Sequence, residues 1–492
     1  MIRFARMVQG PAAQLALCLV LAVLTRAFAF GDPVYGIDEN WYLFVAERLA
    51  SGDRLYTDIW DRKPPGLFAI YLAAYVFPDP LAAIQFMAGA SAALTAFLVW
   101  RMAAKISHPL AGGISALFYL TLLTQLNGAT GQSPVFYNLL IALAAYLVIF
   151  SPHILRKRRI AIGPALAMVA AGAAIIIKPT AGFEAAFLGL WASWRLVREA
   201  SGETWANTAR IALLAVLGAL PALAVIACYV AMGRFEDFWS ATVLSNFVKE
   251  AQAADALRYH RAFLAPLLLA LPLGAMALSF LRAPATPFAP YRLPMGLWVL
   301  AALAGVLSVP NFYQHYFIPF AVPLSIAVAP FFSRSGLLVG LGYLAALTPL
   351  LESQPWNFGP TNVRKDQYAR LAEAVRSRGE GAPLLVYDAP ASLYSVAGTS
   401  PPSKLSFPNH LWDRLERNVS GIDTREEVAR ILAERPATVV MSAATSELAT
   451  NLETRNLVEQ YVRRCREVEN FEILGWQPSP DIDLYTHCRS TS

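Results

Sequence analysis

The chain has 492 residues, of which 56% are hydrophobic and only 15% charged, with a mean hydropathy of +0.45. Soluble proteins carry about a quarter charged residues, so the composition excludes an ordinary soluble enzyme and points to a membrane protein. The net charge of +6 does not mark a nucleic-acid partner, because Arg and Lys cluster in short loops between apolar blocks and no basic stretch is interleaved with aromatics.

After the basic start Met1–Arg6, residues Pro11 to Phe30 form the first block long enough to cross a bilayer, which takes roughly 20 apolar residues. Ala27-Phe28-Ala29 has the look of a signal-peptidase site, but the adjacent Arg26 and the many later spans favour a retained helix. A polar loop, 31–80, follows. Within it Asp38 is placed to N-cap a helix running to about Ala50, with Trp41, Phe44, Val45 and Leu49 as an apolar face lying in the membrane interface. Gly66 to Phe77, stopped by Pro78-Asp79-Pro80, is too short to span and reads as an interfacial or re-entrant helix.

Further spans are expected at 81–100, 109–126, 131–150, 160–177, 181–197, 208–231, 262–281, 293–309, 315–332 and 335–351, giving about eleven in all. The loop 232–261 carries Phe235, Phe238, Trp239 and Val243, the pattern of another interfacial helix. Placing the N-terminus in the cytoplasm puts Arg101, Lys105, the run Arg156–Arg159, Arg195, Arg198, Arg210, Arg282, Arg292 and Arg334 inside, as the positive-inside rule requires. An odd span count then places the C-terminus outside. The expected division is a membrane domain, 1–352, and an extracytoplasmic α/β domain, 361–492.

That α/β domain is read from helices at 362–378, 424–434 and 445–464 and strands at 383–387, 437–441, 468–474 and 482–486. Cys18 and Cys228 fall in apolar blocks, whereas Cys465 and Cys488 fall in the polar C-terminal region. On an oxidising side these last two can form a disulfide, or remain two free thiols. No CxxC or Cys/His metal spacing is present in the sequence.

The chemistry-bearing segment is Tyr35-Gly36-Ile37-Asp38-Glu39-Asn40-Trp41-Tyr42, followed by Ala46, Leu49, Gly52, Tyr56, Asp58, Trp60, Asp61 and Lys63-Pro64-Pro65-Gly66. An acidic pair in the first outward loop, a spaced helix, a Tyr-x-Asp turn and a Lys-Pro-Pro helix start together resemble the GT-C glycosyltransferase superfamily. The nearest pattern within it is that of dolichyl-phosphate-mannose protein mannosyltransferases and bacterial 4-amino-arabinose or galacturonic acid transferases of lipid A and core. Weaker echoes lie at Lys178-Pro179 and His315-Tyr316.

The resemblance implies an inverting transferase at the periplasmic face of a bacterial inner membrane. It would move a sugar from a polyprenyl phosphate to an envelope acceptor: lipopolysaccharide, another polysaccharide or glycolipid, or protein. The leaving phosphate is a stable anion, so one carboxylate suffices to deprotonate the acceptor. Asp38 takes that role by resemblance, with Glu39 its neighbour; the alternative for Asp38 is a helix N-cap without chemistry. Lys63 stands at a helix N-terminus where a phosphate is favoured, or snorkels to the interface. Lys178, His315 and Arg258 are further donor-phosphate candidates, against readings as interface anchors and, for Arg258 with His260 and Arg261, a solvated cluster. Tyr42, Tyr56, Asp58 and Asp61 are substrate-binding candidates, with loop stabilisation the competing role for the two aspartates. Glu184, inside a span, is expected to point inward. No cofactor is implied for this subgroup, although some members of the superfamily use a divalent metal. A transporter or flippase, which would favour repeated halves and midplane charges, and a non-catalytic assembly protein are the alternatives.

Overall fold

A computed structural model describes residues 10–200, 204–248, 270–281, 287–309, 312–379, 382–445 and 449–488. Over its described residues the chain forms two compact units: Met1–Phe28, Gln85–Cys228 and Arg258–Trp356 in the first, and Ala29–Ile84, Tyr229–Leu257 and Asn357–Ser492 in the second.

The first unit is a bundle of apolar helices. Each of the eleven expected spans coincides with a helix over its described residues, from Pro11–Arg26 to Gly336–Ser353. Among the described residues, five helices are long and apolar enough to cross a membrane: Pro11–Ala29, Pro80–Ile106, Thr204–Ala231, Ala289–Leu307 and Gln314–Phe332. Helix starts follow local chemistry, with Pro at the tolerated first turn of Pro11–Arg26, Pro109–Gln125 and Ser133–Ile149. Pro109–Gln125 is buried along nearly its whole length, which explains why it is apolar all round rather than striped. Arg26, at the end of the first helix, is buried and donates to the carbonyls of Gly128 and Thr130 at 2.5 and 2.9 Å. A charged group is thereby tolerated inside an apolar bundle, and the first helix is an integral part of it. Gly172 permits a close helix approach: a Cβ there would meet the Gly218 carbonyl oxygen at 2.1 Å. Small residues play this role wherever membrane helices pack backbone to backbone.

The second unit contains a four-stranded sheet, β1 (Leu384–Val386), β2 (Thr438–Ser442), β3 (Glu467–Glu472) and β4 (Asp481–Thr486), in the order β1-β2-β4-β3. β1 and β2 pair in parallel, Leu385 opposite Val439; β4 runs antiparallel to both neighbours, Leu484 opposite Val440 and Asp483 opposite Asn470. β1 and β2 are buried at every position, whereas β3 alternates between exposed and half-buried residues. A parallel pair covered on both faces, β1 at one edge and β2 inside the sheet, accounts for the apolar runs seen in sequence, while β3 forms the more exposed opposite edge. Helices Gly359–Gly379, Thr424–Ala433 and Leu452–Val462 complete the α/β arrangement, Asp423 capping the second of them through Glu426 N–H.

Cys465 and Cys488 form a disulfide across a separation of 23 residues. Closing a loop of that length restricts the unfolded chain by about 3 kcal/mol. Cys488→Ser is therefore expected to lower the denaturant midpoint of the purified protein, and a reductant should lower that of the wild type but not of the variant.

Candidate functional site

In the second unit, the helix Ile37–Ala50 presents the acidic pair. Gly36 is its N-cap, and Asp38 and Glu39 occupy the first turn. The expected N-cap role of Asp38 is thus corrected. Gly36 adopts the extended conformation a cap needs, and the carboxylates lie where the positive end of the helix dipole favours them. Asp38 is half-buried and Glu39 buried, and the charges of both act on the buried Tyr71 hydroxyl.

The apolar face of this helix is also corrected. Trp41, Phe44 and Val45 are buried against protein rather than laid on lipid: Trp41 stacks on Phe407 at 5.0 Å and Phe44 packs beside Tyr394 at 6.1 Å. Polar ties reinforce that packing. Asn40 donates to Ser392 at 3.1 Å, Ser395 donates to Glu47 at 2.7 Å, the Trp60 N–H donates to the Lys404 carbonyl at 2.9 Å, and Arg62 pairs with Glu416.

Lys63 stands two residues before the helix Pro65–Tyr75, next to its N-cap Pro64. Its Nζ lies 5.2 Å from the Tyr42 ring centroid and 3.7 Å from Asp61 Oδ1. Tyr42 is buried edge-on to Phe68 and Tyr71. Asp61 is buried too, accepting from Trp41 Nε1 at 2.6 Å and from the Lys63 N–H at 2.7 Å. Tyr56, buried with a φ of 72°, donates its hydroxyl to the Lys63 carbonyl at 2.8 Å. Asp58 is exposed and ties off the preceding turn, accepting from Arg54 Nε and Nη2 at 2.7 and 2.8 Å. The Arg54 guanidinium holds its carboxyl down at about 2. Phe238, from the helix Phe235–Trp239, is buried beside Tyr229 and Tyr56.

His410 completes this core, packed edge-on against Trp60, Phe407 and Trp41 at centroid distances of 4.7, 5.1 and 6.4 Å. Burial lowers its pKa to about 4, with Glu416 and Asp61 pulling upward and Arg62 and Lys63 pushing further down. An unfolded histidine takes up its proton near 6.5. The neutral imidazole therefore contributes stability that is present above that value and is lost as pH falls from 6.5 toward 4. The shift corresponds to about 3 kcal/mol. His410→Phe should flatten the fall in melting temperature between pH 7 and pH 4.5; an unchanged slope would remove His410 as its source.

In the first unit, Lys178 lies 4.3 Å from the centroid of Tyr316, whose edge meets His315 at 4.6 Å; His315 also stacks on Tyr313. Lys178, Tyr316, Tyr137, Thr180 and Glu184 line one cavity. Glu184 points inward as expected and accepts from Trp298 Nε1 at 2.7 Å. Lys178 and His315 are thus brought onto one aromatic ring. Arg258, His260 and Arg261 lie outside the described residues. Trp298, Phe407, His410 and Glu416 were not singled out in the sequence, since each acts through a partner distant in the chain; only the aromatic-rich composition hinted at such a core.

No protein-family model and no curated protein matches the sequence. Among solved structures, ArnT from Cupriavidus metallidurans bound to undecaprenyl phosphate is similar over 97% of both chains, with a TM-score of 0.65 at 15% identity. Its apo state gives 0.63 at 14% identity over the same shares. The apo oligosaccharyltransferase of Archaeoglobus fulgidus gives 0.51 at 12% identity, over 88% of this chain and 69% of that one. The chain therefore shares the overall fold of the solved ArnT structures, with apolar helices and a C-terminal α/β sheet region.

Proposed function

We propose that this protein is an inverting glycosyltransferase that moves a sugar from a polyprenyl phosphate to an acceptor in the bacterial cell envelope, at the periplasmic face of the inner membrane. The observation that carries the reading is the similarity along 97% of both chains to a structure holding undecaprenyl phosphate. The placement of Asp38, Glu39 and Lys63 in one unit supports it.

In this reading an acceptor hydroxyl attacks the anomeric carbon and gives its proton to Asp38. The bond from that carbon to the phosphate oxygen breaks, with inversion. Polyprenyl phosphate departs as a monoester anion, so no general acid is needed. Lys63, at the start of a helix, meets the departing charge with an ammonium and a favourable dipole end. Lys178 with His315 forms a second cationic candidate in the membrane unit, and Arg258 remains a third. Buried Tyr42 and Tyr56 shape the Lys63 site, and Glu39 stands beside the base. The proposed topology has eleven crossings, the N-terminus cytoplasmic and the C-terminal sheet periplasmic.

The test is mass spectrometry of lipid A, polysaccharide and glycoprotein fractions from wild type, a deletion strain and the complemented deletion. One sugar should vanish from one fraction and return on complementation. Identical glycans in all three strains, with the protein demonstrably made, would overturn the reading.

A further inference from the structure

Asp61 lies at the centre of the second unit's polar core, yet it is 1% exposed. One oxygen accepts from Trp41 Nε1 at 2.6 Å; the other accepts from the Lys63 N–H at 2.7 Å and lies 3.7 Å from the Lys63 ammonium. A carboxylate so enclosed and so occupied fits the loop-stabilising alternative for Asp61 better than direct contact with a sugar. We propose that Asp61 is a positioning residue: it holds Lys63 in the orientation that receives a polyprenyl phosphate, and couples that lysine through Trp41 to the helix bearing Asp38. The inference rests on the proposed reading of Lys63 as the phosphate-holding cation.

A lysine ammonium sits on a flexible four-carbon stem, so without restraint it spreads over many rotamers. Here the backbone of Lys63 is fixed from both sides, its N–H by Asp61 and its carbonyl by Tyr56. The ammonium is confined between the Asp61 carboxylate and the face of Tyr42. At 3.7 Å the ion pair exceeds hydrogen-bond length, and the lysine side chain is 21% exposed, so its donors remain available to a second anion. Trp41 lies three positions after Asp38 on the same helix, a spacing that makes them neighbours on its surface. The indole bond to Asp61 therefore fixes the rotation of the helix that presents Asp38.

Charge and positioning predict opposite signs when Asp61 is neutralised. By Coulomb's law alone, removing a carboxylate beside Lys63 raises the local positive potential and tightens phosphate binding. Loss of positioning weakens it. Full-length protein would be titrated with undecaprenyl phosphate, with undecaprenol as the control for binding of the chain alone. The variants are Asp61→Asn, Lys63→Ala and the double substitution, each with its melting temperature measured.

Lys63→Ala should weaken undecaprenyl phosphate binding about tenfold or more, and Asp61→Asn about fivefold, with undecaprenol binding unchanged. In the double variant Asp61→Asn should add less than about twofold to the effect of Lys63→Ala. Tighter or unchanged binding by folded Asp61→Asn would overturn the proposal, as would equal further weakening in the Lys63→Ala background. Normal binding by Lys63→Ala would instead remove the reading of Lys63 on which the proposal rests. If Asp61→Asn fails to fold, Asp61→Ser, which keeps an acceptor for the Lys63 N–H, is carried through the same comparison with the same outcomes.

Discussion

Asp38→Asn should lower sugar transfer by about 10²–10⁴-fold, the range a positioned general base contributes, while leaving undecaprenyl phosphate affinity within about twofold. The substitution is isosteric and removes the negative charge together with the capacity to accept a proton. Gly36 rather than Asp38 occupies the N-cap position, and the first-turn dipole interaction that the variant gives up is worth about 0.3–1 kcal/mol. Its half-buried position leaves a path for an acceptor hydroxyl, whereas Glu39 is 1% exposed. Glu39→Gln is therefore the internal comparison, measured in the same transfer assay once the donor is known. Full turnover by Asp38→Asn together with collapse in Glu39→Gln would hand the base role to the neighbour.

The sequence made the elements legible and left their partners hidden. Apolar blocks, helical spacing and β patterns are local signals, so helices and strands fall within a few residues of their expected positions, as at Thr424–Ala433 and Asp481–Thr486. The cap of the acidic helix was not legible, because Gly36 and Asp38 are both acceptable caps two positions apart and only the backbone angles decide between them. Nor was the destination of its apolar face. Trp41 and Phe44 look the same whether they meet lipid or Phe407 and Tyr394, since both surroundings are apolar. The roles of Asp61 and Asp58 diverged for a similar reason. Both are loop carboxylates in sequence, but one is enclosed by Trp41 and Lys63 and the other is clasped at the surface by Arg54. The pairing of Cys465 with Cys488 became decidable only when the antiparallel pairing of β3 with β4, Glu467 opposite Thr486, brought the start of one strand beside the end of the other.

The same long-range logic makes Arg364→Ala a substitution expected to cost several kcal/mol of stability in the second unit. Arg364 Nε donates to Asp32 Oδ2 at 2.6 Å, and the guanidinium lies 5.2 Å from the Tyr35 ring centroid. The Asp32 side chain is fully buried and that of Arg364 is 11% exposed, so water cannot replace the lost partner. Asp32 Oδ1 meanwhile accepts from the Val34 and Tyr35 N–H groups at 3.1 and 3.0 Å, forming the turn that leads into the Asp38 helix. Removing one member of a buried pair typically costs about 3–5 kcal/mol, because a desolvated charge is left uncompensated. Arg364→Ala should therefore lower the melting temperature by several degrees and reduce transfer activity through the disturbed turn. Adding Asp32→Asn to that variant removes the stranded charge but keeps an oxygen for the turn, and should recover about 1–3 kcal/mol. Recovery in the double variant would identify charge burial as the cost, whereas a double variant as unstable as the single would assign the loss to the packing of Arg364 over Tyr35.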